Sequence, residues 1–404
     1  MLIVAFPKSG FLAGGVPIYI SILLGSLLTL QALGRSLLHS GVVQATYLVL
    51  ALWSAFCLAQ TIVEGLTFSE LVRVMFNVVA LLSVGLVFYP IRSQNSCDTF
   101  LRFFRRAYYF LLAYGLLQIA FGSEAVAIRN VTAIYAESFE DILNKHNVLH
   151  GLGEDASKIF GTYQNGNLFG VALVLCAPLV FASEPNRAVA VAAYFVAGML
   201  VVFSGSAGAM AGFIFLTFLF LAKALLAGRA PRVIVNALVA IGAVGFIAGI
   251  ASGAFEQAFS LIEYRVLDRD FSVNGRWIKT AIWWSNVRAD PSLMVLGDLN
   301  PQVSIFEVLP LSILQFFGLP GLLLFYAIVF LALRPHKMSP AKYGVVTYLA
   351  MSCADGGYWL TPCSYLLAIN IAGANALDRW REVSAKRQGF RFQINGRRLA
   401  WRAS

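Results

Sequence analysis

The sequence predicts an all-α integral membrane protein with about eleven (10–12) transmembrane helices and two long loops on its outer side. Hydrophobic residues make up 59% of the 404 residues and charged residues only 12%. A soluble domain carries about twice that share of charge. The mean hydropathy is +0.75. The apolar character is therefore spread along the chain, which indicates many spans rather than one anchor on a globular domain.

The predicted spans are windows of mostly apolar residues, each near the length of about 20 that crosses a bilayer as a helix. An odd number of spans would place the N-terminus outside. Gly14, Gly15 and Pro17 interrupt the first window, so the span count and the side of the N-terminus stay open. The windows lie near 11–33, 42–62, 68–91, 105–122, 166–183, 188–205, 207–226, 233–252, 308–333, 343–356 and 362–377.

The net charge is +10, and the positions of the basic residues agree with the predicted topology. Lys and Arg gather near 92–106, 223–232 and 334–342 and in the tail, segments that the spans place on one side. Positive charge marks the cytoplasmic face. We therefore expect a membrane domain over 1–378, a basic cytoplasmic tail over 379–404 and no nucleic-acid partner. Aromatic residues in the tail suit an anionic lipid surface, although a merely solvated tail explains them equally well.

Two long polar loops, at about 123–165 and 253–307, fall on the opposite side. The second loop is unusual because it carries cations where the inside bias disfavours them. Arginine suits a diphosphate, since its planar fork donates two parallel hydrogen bonds to phosphate oxygens. Carboxylates in the same loop leave local ion pairing as the alternative, which we favour for Arg269 in "DRD". The cations are Arg265, Arg269, Arg276, Lys279 and Arg288.

An amphipathic helix is predicted over 274–291, with Asn274 or Ser272 as its cap and Pro291 at its end. Its apolar face would lie on the membrane surface with the Trp rings among the headgroups. Arg276 falls in the first turn, where the helix dipole opposes a cation. A nearby anion such as a lipid diphosphate would explain that position. The apolar face consists of Trp277, Ile278, Ala281, Ile282 and Trp284.

A lone carboxylate, Glu307, precedes the apolar run 308–333. It lies eleven residues before Gly318, which is about 16 Å along a helix axis and hence at the outer rim of the membrane. A carboxylate there is suited to act as a general base toward a sugar hydroxyl. The alternative is a simple charge at a helix N-terminus, where it suits the dipole.

Four further residues on the outer side are candidate binding groups. Asn165 and Asn167 stand at the entrance to the span 166–183, where amides bind sugar hydroxyls or simply cap the helix, and Lys158 adds a cation. Arg73 lies near the outer end of the third span, one turn from Glu70. That pair is either a surface ion pair or a second contact for a lipid phosphate. No residue spacing predicts a metal site.

Together these pieces resemble the bacterial O-antigen ligase/polymerase family, the Wzy- and WaaL-like membrane proteins. Three segments carry the resemblance: "KIFGTYQNGNLFG" (158–170), "NGRWIKTAIWWSNVRADPSLMVLG" (274–297) and "EVLPLSILQFFGLPGLLLFY" (307–326). Gly166 stands where the family usually has Pro. Ala207, in "SGSAGA", stands where an arginine is expected, and Glu307 replaces a histidine.

The resemblance implies a glycosyl transfer on the periplasmic face of the inner membrane. The donor would be a glycan on undecaprenyl diphosphate, and a chain-length regulator would be a further partner alongside membrane lipids. No metal, nucleotide or other cofactor is implied. Arg276, with Arg265, Lys158 or Arg288, would hold the diphosphate and stabilise its developing charge, and Glu307 would accept the proton of the acceptor hydroxyl.

Several functions remain open at this point. A polymerase that joins repeat units of O-antigen, capsule or exopolysaccharide is favoured, because the missing histidine and arginine weaken the reading as a ligase that transfers glycan to lipid A-core. A transporter or lipid flippase is the alternative of another class, although the predicted spans are nearly free of charge. The two departures from the family also leave a catalytically inert scaffold as an alternative.

Overall fold

The computed structural model is mostly helical. Six of the described helices are long and apolar enough to cross a membrane. The chain is therefore compatible with an all-α membrane protein, while the higher span count remains a prediction. The structure describes residues 2–13, 16–38, 41–63, 65–89, 91, 93–128, 130–132, 159–163, 165–226, 275–301, 308–334, 338–353 and 362–400.

The described helices follow the predicted windows closely in the middle of the chain. After a short helix α1 (Leu2–Ala5) and a β-hairpin come the longer helices, and the 3₁₀ helix Ser83–Phe88 extends α4 directly. The remaining elements are β1 (Gly10–Ala13), β2 (Val16–Tyr19), α2 (Ile20–Leu38), α3 (Val42–Val63), α4 (Phe68–Leu82), α5 (Gln94–Phe121), α6 (Gly166–Ser183), α7 (Arg187–Phe203), α8 (Ala207–Leu226), α9 (Gly275–Ala289), α10 (Ser292–Leu296), α11 (Leu309–Leu333), a second 3₁₀ helix (Pro340–Lys342), α12 (Tyr343–Ser352) and α13 (Cys363–Ala400).

The first predicted span, 11–33, is wrong at its start. Strands β1 and β2 pair antiparallel there, with Gly10 opposite Tyr19 and Ala13 opposite Val16, and the helix α2 begins only at Ile20. The proline in β2 disfavours a helix interior because it lacks a backbone N–H. The hairpin docks on the loop after α5, since the backbone N–H of Gly10 donates to the carbonyl of Asn130 over 3.3 Å.

Three other windows differ in length from the helices found. Helix α5 begins at Gln94 rather than near 105, and α13 continues to Ala400 rather than ending near 377, so the predicted tail extends the last helix. Helix α12 has only 10 residues, which gives about 15 Å, half the bilayer core. The predicted span 233–252 lies outside the described residues.

Most of the described basic residues gather at one end of the bundle, which we call the basic end. Arg105 pairs with Glu184 over 3.4 Å, and Lys342 pairs with Asp378 over 3.3 Å. Arg381 donates to the carbonyl of Ala182 over 2.5 Å. Segments that are far apart in the sequence therefore place their charge together, as the distribution of Lys and Arg predicts. The opposite end, formed by the hairpin and by residues 122–128, 130–132, 159–163 and 275–301, is called the loop end.

Candidate functional site

Helix α11 is broken between its two halves. Gly318 has φ 62° and ψ −173°, and Pro320 follows two residues later. Such a break frees backbone carbonyls, which need new partners inside a membrane. The indole Nε1 of Trp53 donates to the carbonyl of Phe317 over 2.7 Å, and the N–H of Asp298 donates to the carbonyl of Gln315 over 2.7 Å. The break is thus a stable, hydrogen-bonded feature of the fold.

The segment after α10 packs directly on this break. Gly297, at φ 72°, ends α10, and a Cβ atom added to it would lie 2.6 Å from the backbone nitrogen of Gly318. A Cβ atom on Gly318 would lie 1.9 Å from the carbonyl oxygen of Val295. Both positions therefore require glycine, for their backbone angles and for the close approach. The contact joins the second and third family-like segments.

Asn300 is held by two charged residues of α4, and we call Glu70, Arg73 and Asn300 the Asn300 clamp. The Nη2 of Arg73 donates to the Oδ1 of Asn300 over 2.5 Å, and the Asn300 side chain also hydrogen-bonds Glu70. Glu70 accepts in addition from the backbone N–H of Thr67 over 2.8 Å in a capping box. The clamp ties the segment 297–301 to α4, and Arg73 remains exposed.

Gln315 is a buried polar residue that sequence reasoning missed. Its side chain is 1% exposed, and its Oε1 has no hydrogen-bond partner among the described residues. Its backbone carbonyl accepts the bond from Asp298, next to the clamp. The sequence signal was an amide inside the apolar run "LPLSILQFFGLPG", which is unusual for a membrane span.

The first family-like segment forms a tight turn against the loop between α7 and α8. Gly161 exchanges two hydrogen bonds with the Gln118 side chain, of 2.7 Å and 3.1 Å. A Cβ atom on Gly166 would lie 2.1 Å from the carbonyl oxygen of Ser204. No larger residue fits at 166, which gives a physical reason for the glycine there. Ala207 begins α8 at the same turn.

Two buried polar groups lie at this end of the bundle as well. The Lys8 side chain is 4% exposed, with its Nζ 4.0 Å from the centre of the Tyr19 ring. The Thr162 hydroxyl is fully buried and has no hydrogen-bond partner within the described part of the chain. Sequence reasoning gave Lys8 no role, although a cation inside an apolar N-terminal stretch was a usable signal.

Helix α9 ends before Pro291, as predicted, and the Asp290 carboxylate accepts from the N–H and the hydroxyl of Ser292. These bonds lower the pKa of Asp290. Trp283 and Val287 are buried and pack with Leu311 and Leu314 of α11. The predicted apolar face includes Ile282 and Trp284, which are 43% and 45% exposed. These two side chains are therefore exposed, whereas Trp283 and Val287 pack on the protein.

The structure describes four of the predicted site residues with their side chains and the others only in part or not at all. Arg73 lies in the Asn300 clamp. Asn165 caps α6 by accepting from the N–H of Leu168 over 2.9 Å, so the capping alternative applies to it. Asn167 is half-buried in the first turn of α6, and Arg288 is exposed in the last turn of α9. No hydrogen bond joins these four described side chains to one another. Arg276 is described by its backbone alone; Lys158, Arg265, Glu307 and the cap candidates 272 and 274 lie outside the described residues.

No family model matches the chain, and no curated protein matches it significantly. Among the described residues, no cluster of three or more His, Cys, Asp or Glu side chains could hold a metal ion. The described features that are relevant to chemistry are therefore those of the loop end. They are the broken helix α11, the segment 297–301 held by the Asn300 clamp, and the buried polar groups.

Proposed function

We propose that the chain is a metal-independent glycosyltransferase of the bacterial inner membrane. On its periplasmic face it joins undecaprenyl-diphosphate-linked repeat units into O-antigen, capsule or exopolysaccharide. The observation that carries the proposal is that the segments resembling the family pack on one another or on a further family-like motif: Gly297 of the second segment meets Gly318 of the third, and the first segment lies on the "SGSAGA" turn. Segments that share one site would make such contacts.

The proposed reaction needs a leaving group, a general base and cations that stabilise the charge of the leaving group. The bond between the anomeric carbon of the donor sugar and the diphosphate oxygen breaks, and a glycosidic bond forms to the acceptor hydroxyl. Glu307 takes the hydroxyl proton. Undecaprenyl diphosphate leaves with its charge stabilised by Arg276 and a second cation, from Arg265, Lys158 or Arg288. The exposed guanidinium of Arg73 is a further contact for the lipid phosphate.

The proposal is tested with purified chain in proteoliposomes that contain lipid-linked repeat units from cells lacking this chain. We expect a ladder of longer glycans and release of undecaprenyl diphosphate, both in the presence of a chelator. Glu307→Gln should abolish the ladder because the base is lost, whereas Glu124→Gln, at an exposed carboxylate of the loop end, should leave it unchanged. Arg276→Lys should lose most activity because lysine lacks the planar guanidinium that donates two parallel hydrogen bonds. Arg106→Lys, at the basic end, should retain full activity.

Normal ladders from Glu307→Gln would reject the proposed base, and no glycan growth by the unmodified chain would reject the polymerase. The break in α11 favours one second candidate, a transporter or flippase, since transporters place discontinuous helices at the membrane centre. That candidate predicts movement of labelled lipid-linked units across the vesicle membrane without growth of the glycan. A ligase would instead require lipid A-core as the acceptor.

A further inference from the structure

Two neighbouring cavities open near the basic end of the bundle, away from the proposed reaction. The first has a volume of about 320 Å³ and lies between α3, α11, α13 and the 3₁₀ helix after α4. The second has a volume of about 730 Å³ and lies between α1, α2, α5 and α13. Tyr89, Ile91 and Ala372 line both. The two spaces are therefore adjacent, with these three residues as their common wall.

The first cavity carries positive charge that the described protein does not neutralise. Arg334 and Arg379 line it, and neither guanidinium forms an ion pair or a hydrogen bond with any residue that the structure describes. Val43 and Gln44, in the first turn of α3, line it too. The free N–H groups of a helix N-terminus favour an anion. The cavity thus presents two cations and a positive helix end to one space.

The backbone at Arg334 gives an independent reason to assign this side chain a role. Arg334 ends α11 in the left-handed region, at φ 50° and ψ 71°. Glycine is the usual residue at such a position because a side chain there is strained. A non-glycine residue held in this conformation points to a function for its side chain. Here the side chain lines the cavity beside Arg379.

The second cavity is suited to hydrocarbon. Its lining includes Ile3, Leu28, Phe103 and Phe104, together with Asn95 and Ser96 from the first turn of α5. A small inorganic anion would use only the first cavity. A molecule with a phosphate and an acyl chain would use both, and basic pockets between transmembrane helices on the cytoplasmic side bind such headgroups.

We propose that these two cavities together bind one anionic phospholipid, with its phosphate between Arg334 and Arg379 and an acyl chain in the apolar cavity. The site is separate from the loop end and does not depend on the proposed glycosyl transfer. Its occupant would join α3, α11 and α13 at the basic end, where the described ion pairs are otherwise made by Arg105 and Lys342.

The test is a titration of purified full-length protein with phosphatidylglycerol or phosphatidylcholine, followed by native mass spectrometry. We expect one tightly retained phosphatidylglycerol. Arg334→Asn, which tolerates the left-handed backbone, and Arg379→Gln should each weaken its binding about fivefold, the effect of one basic residue near a lipid surface. Arg334→Lys should retain most of it. Ala372→Leu should weaken binding with no change in charge, because it narrows both cavities.

The matched control is Arg381→Gln, two residues from Arg379, whose guanidinium bonds the carbonyl of Ala182 instead. It should leave the affinity unchanged. Equal binding of both lipids, an equal loss in Arg381→Gln, or displacement of the lipid by excess inorganic phosphate would overturn the proposal. Gel filtration checks that each variant folds. If Arg334→Asn does not fold, Arg379→Gln and Arg334→Lys still decide the outcome.

Discussion

At the scale of single residues, the loop end depends on glycines that allow backbones to touch. Gly297 and Gly318 both have positive φ and both approach backbone atoms of the other segment. Backbone atoms cannot rotate away as a flexible side chain can, so a methyl group there must displace a whole segment. The same reasoning applies to Gly166 against Ser204.

Gly318→Ala and Gly297→Ala should each destabilise the protein by about 2 to 6 kcal/mol, since each adds backbone strain and overpacking. The measurement is the thermal unfolding midpoint in detergent. The control is Gly34→Ala in α2, where an added Cβ meets nothing within 4 Å and a helix interior gains about 0.5 to 1 kcal/mol. Equal midpoints for all three variants would show that the contact between Gly297 and Gly318 contributes nothing.

The Asn300 clamp allows a second prediction, which separates two roles of Arg73. If Arg73 acts only by holding Asn300, then the double variant should reduce glycan growth no more than Asn300→Ala alone, because Asn300→Ala already removes the contact with Arg73 together with the bond to Glu70. If Arg73 also touches the lipid phosphate, Arg73→Gln should in addition raise the KM for the donor. We expect the second result, since the guanidinium is exposed and, among the described residues, hydrogen-bonds Asn300 alone. An unchanged KM in Arg73→Gln would assign it positioning alone.

At the scale of elements, hydropathy predicted the middle helices well because length and apolarity decide them. The spans 42–62 and 166–183 match α3 and α6 within a residue. A hydropathy profile cannot distinguish a β-hairpin from a helix inside an apolar run, so the predicted first span begins too early. It also does not register the break in α11, because Gly318 resembles an ordinary packing glycine until its partner Gly297 is known. Of the clamp residues, the sequence analysis singled out Glu70 and Arg73 but not Asn300, which is 227 residues from Arg73.

The break in α11 should depend on Trp53, which satisfies the freed carbonyl of Phe317. Trp53→Phe retains most of the ring but removes the indole N–H, and an unsatisfied buried acceptor costs about 1 to 3 kcal/mol. We expect a lower unfolding midpoint and, if the break shapes the site, slower glycan growth. Trp284→Phe is the control, since that ring is 45% exposed. Identical midpoints for the two variants would mean that Trp53 does not support the break.

At the scale of the whole molecule, most of the positive charge and the proposed chemistry occupy opposite ends. The ion pairs of Arg105 and Lys342 lie at the basic end, whereas the broken helix, the clamp and the buried groups Lys8 and Thr162 lie toward the loop end. Because positive charge resists export across the membrane, the basic end is expected to face the cytoplasm. The proposed chemistry then faces a compartment without nucleotide donors, which is consistent with a donor that carries its own diphosphate.

This orientation is tested by labelling single cysteines in cells whose outer membrane has been permeabilised and whose inner membrane is intact. All five native cysteines are free, and Cys353 is exposed, so they are first replaced by serine or alanine. Ser285→Cys in α9 and Ser384→Cys in α13 are both at exposed positions, on the loop end and beyond the basic end respectively. A membrane-impermeant maleimide should label Ser285→Cys directly and Ser384→Cys only after the inner membrane is permeabilised. The reverse labelling pattern would mean that the protein has the opposite orientation in the membrane. A periplasmic reaction at the loop end would then be impossible, whatever activities the variants at Glu307 and Arg276 show.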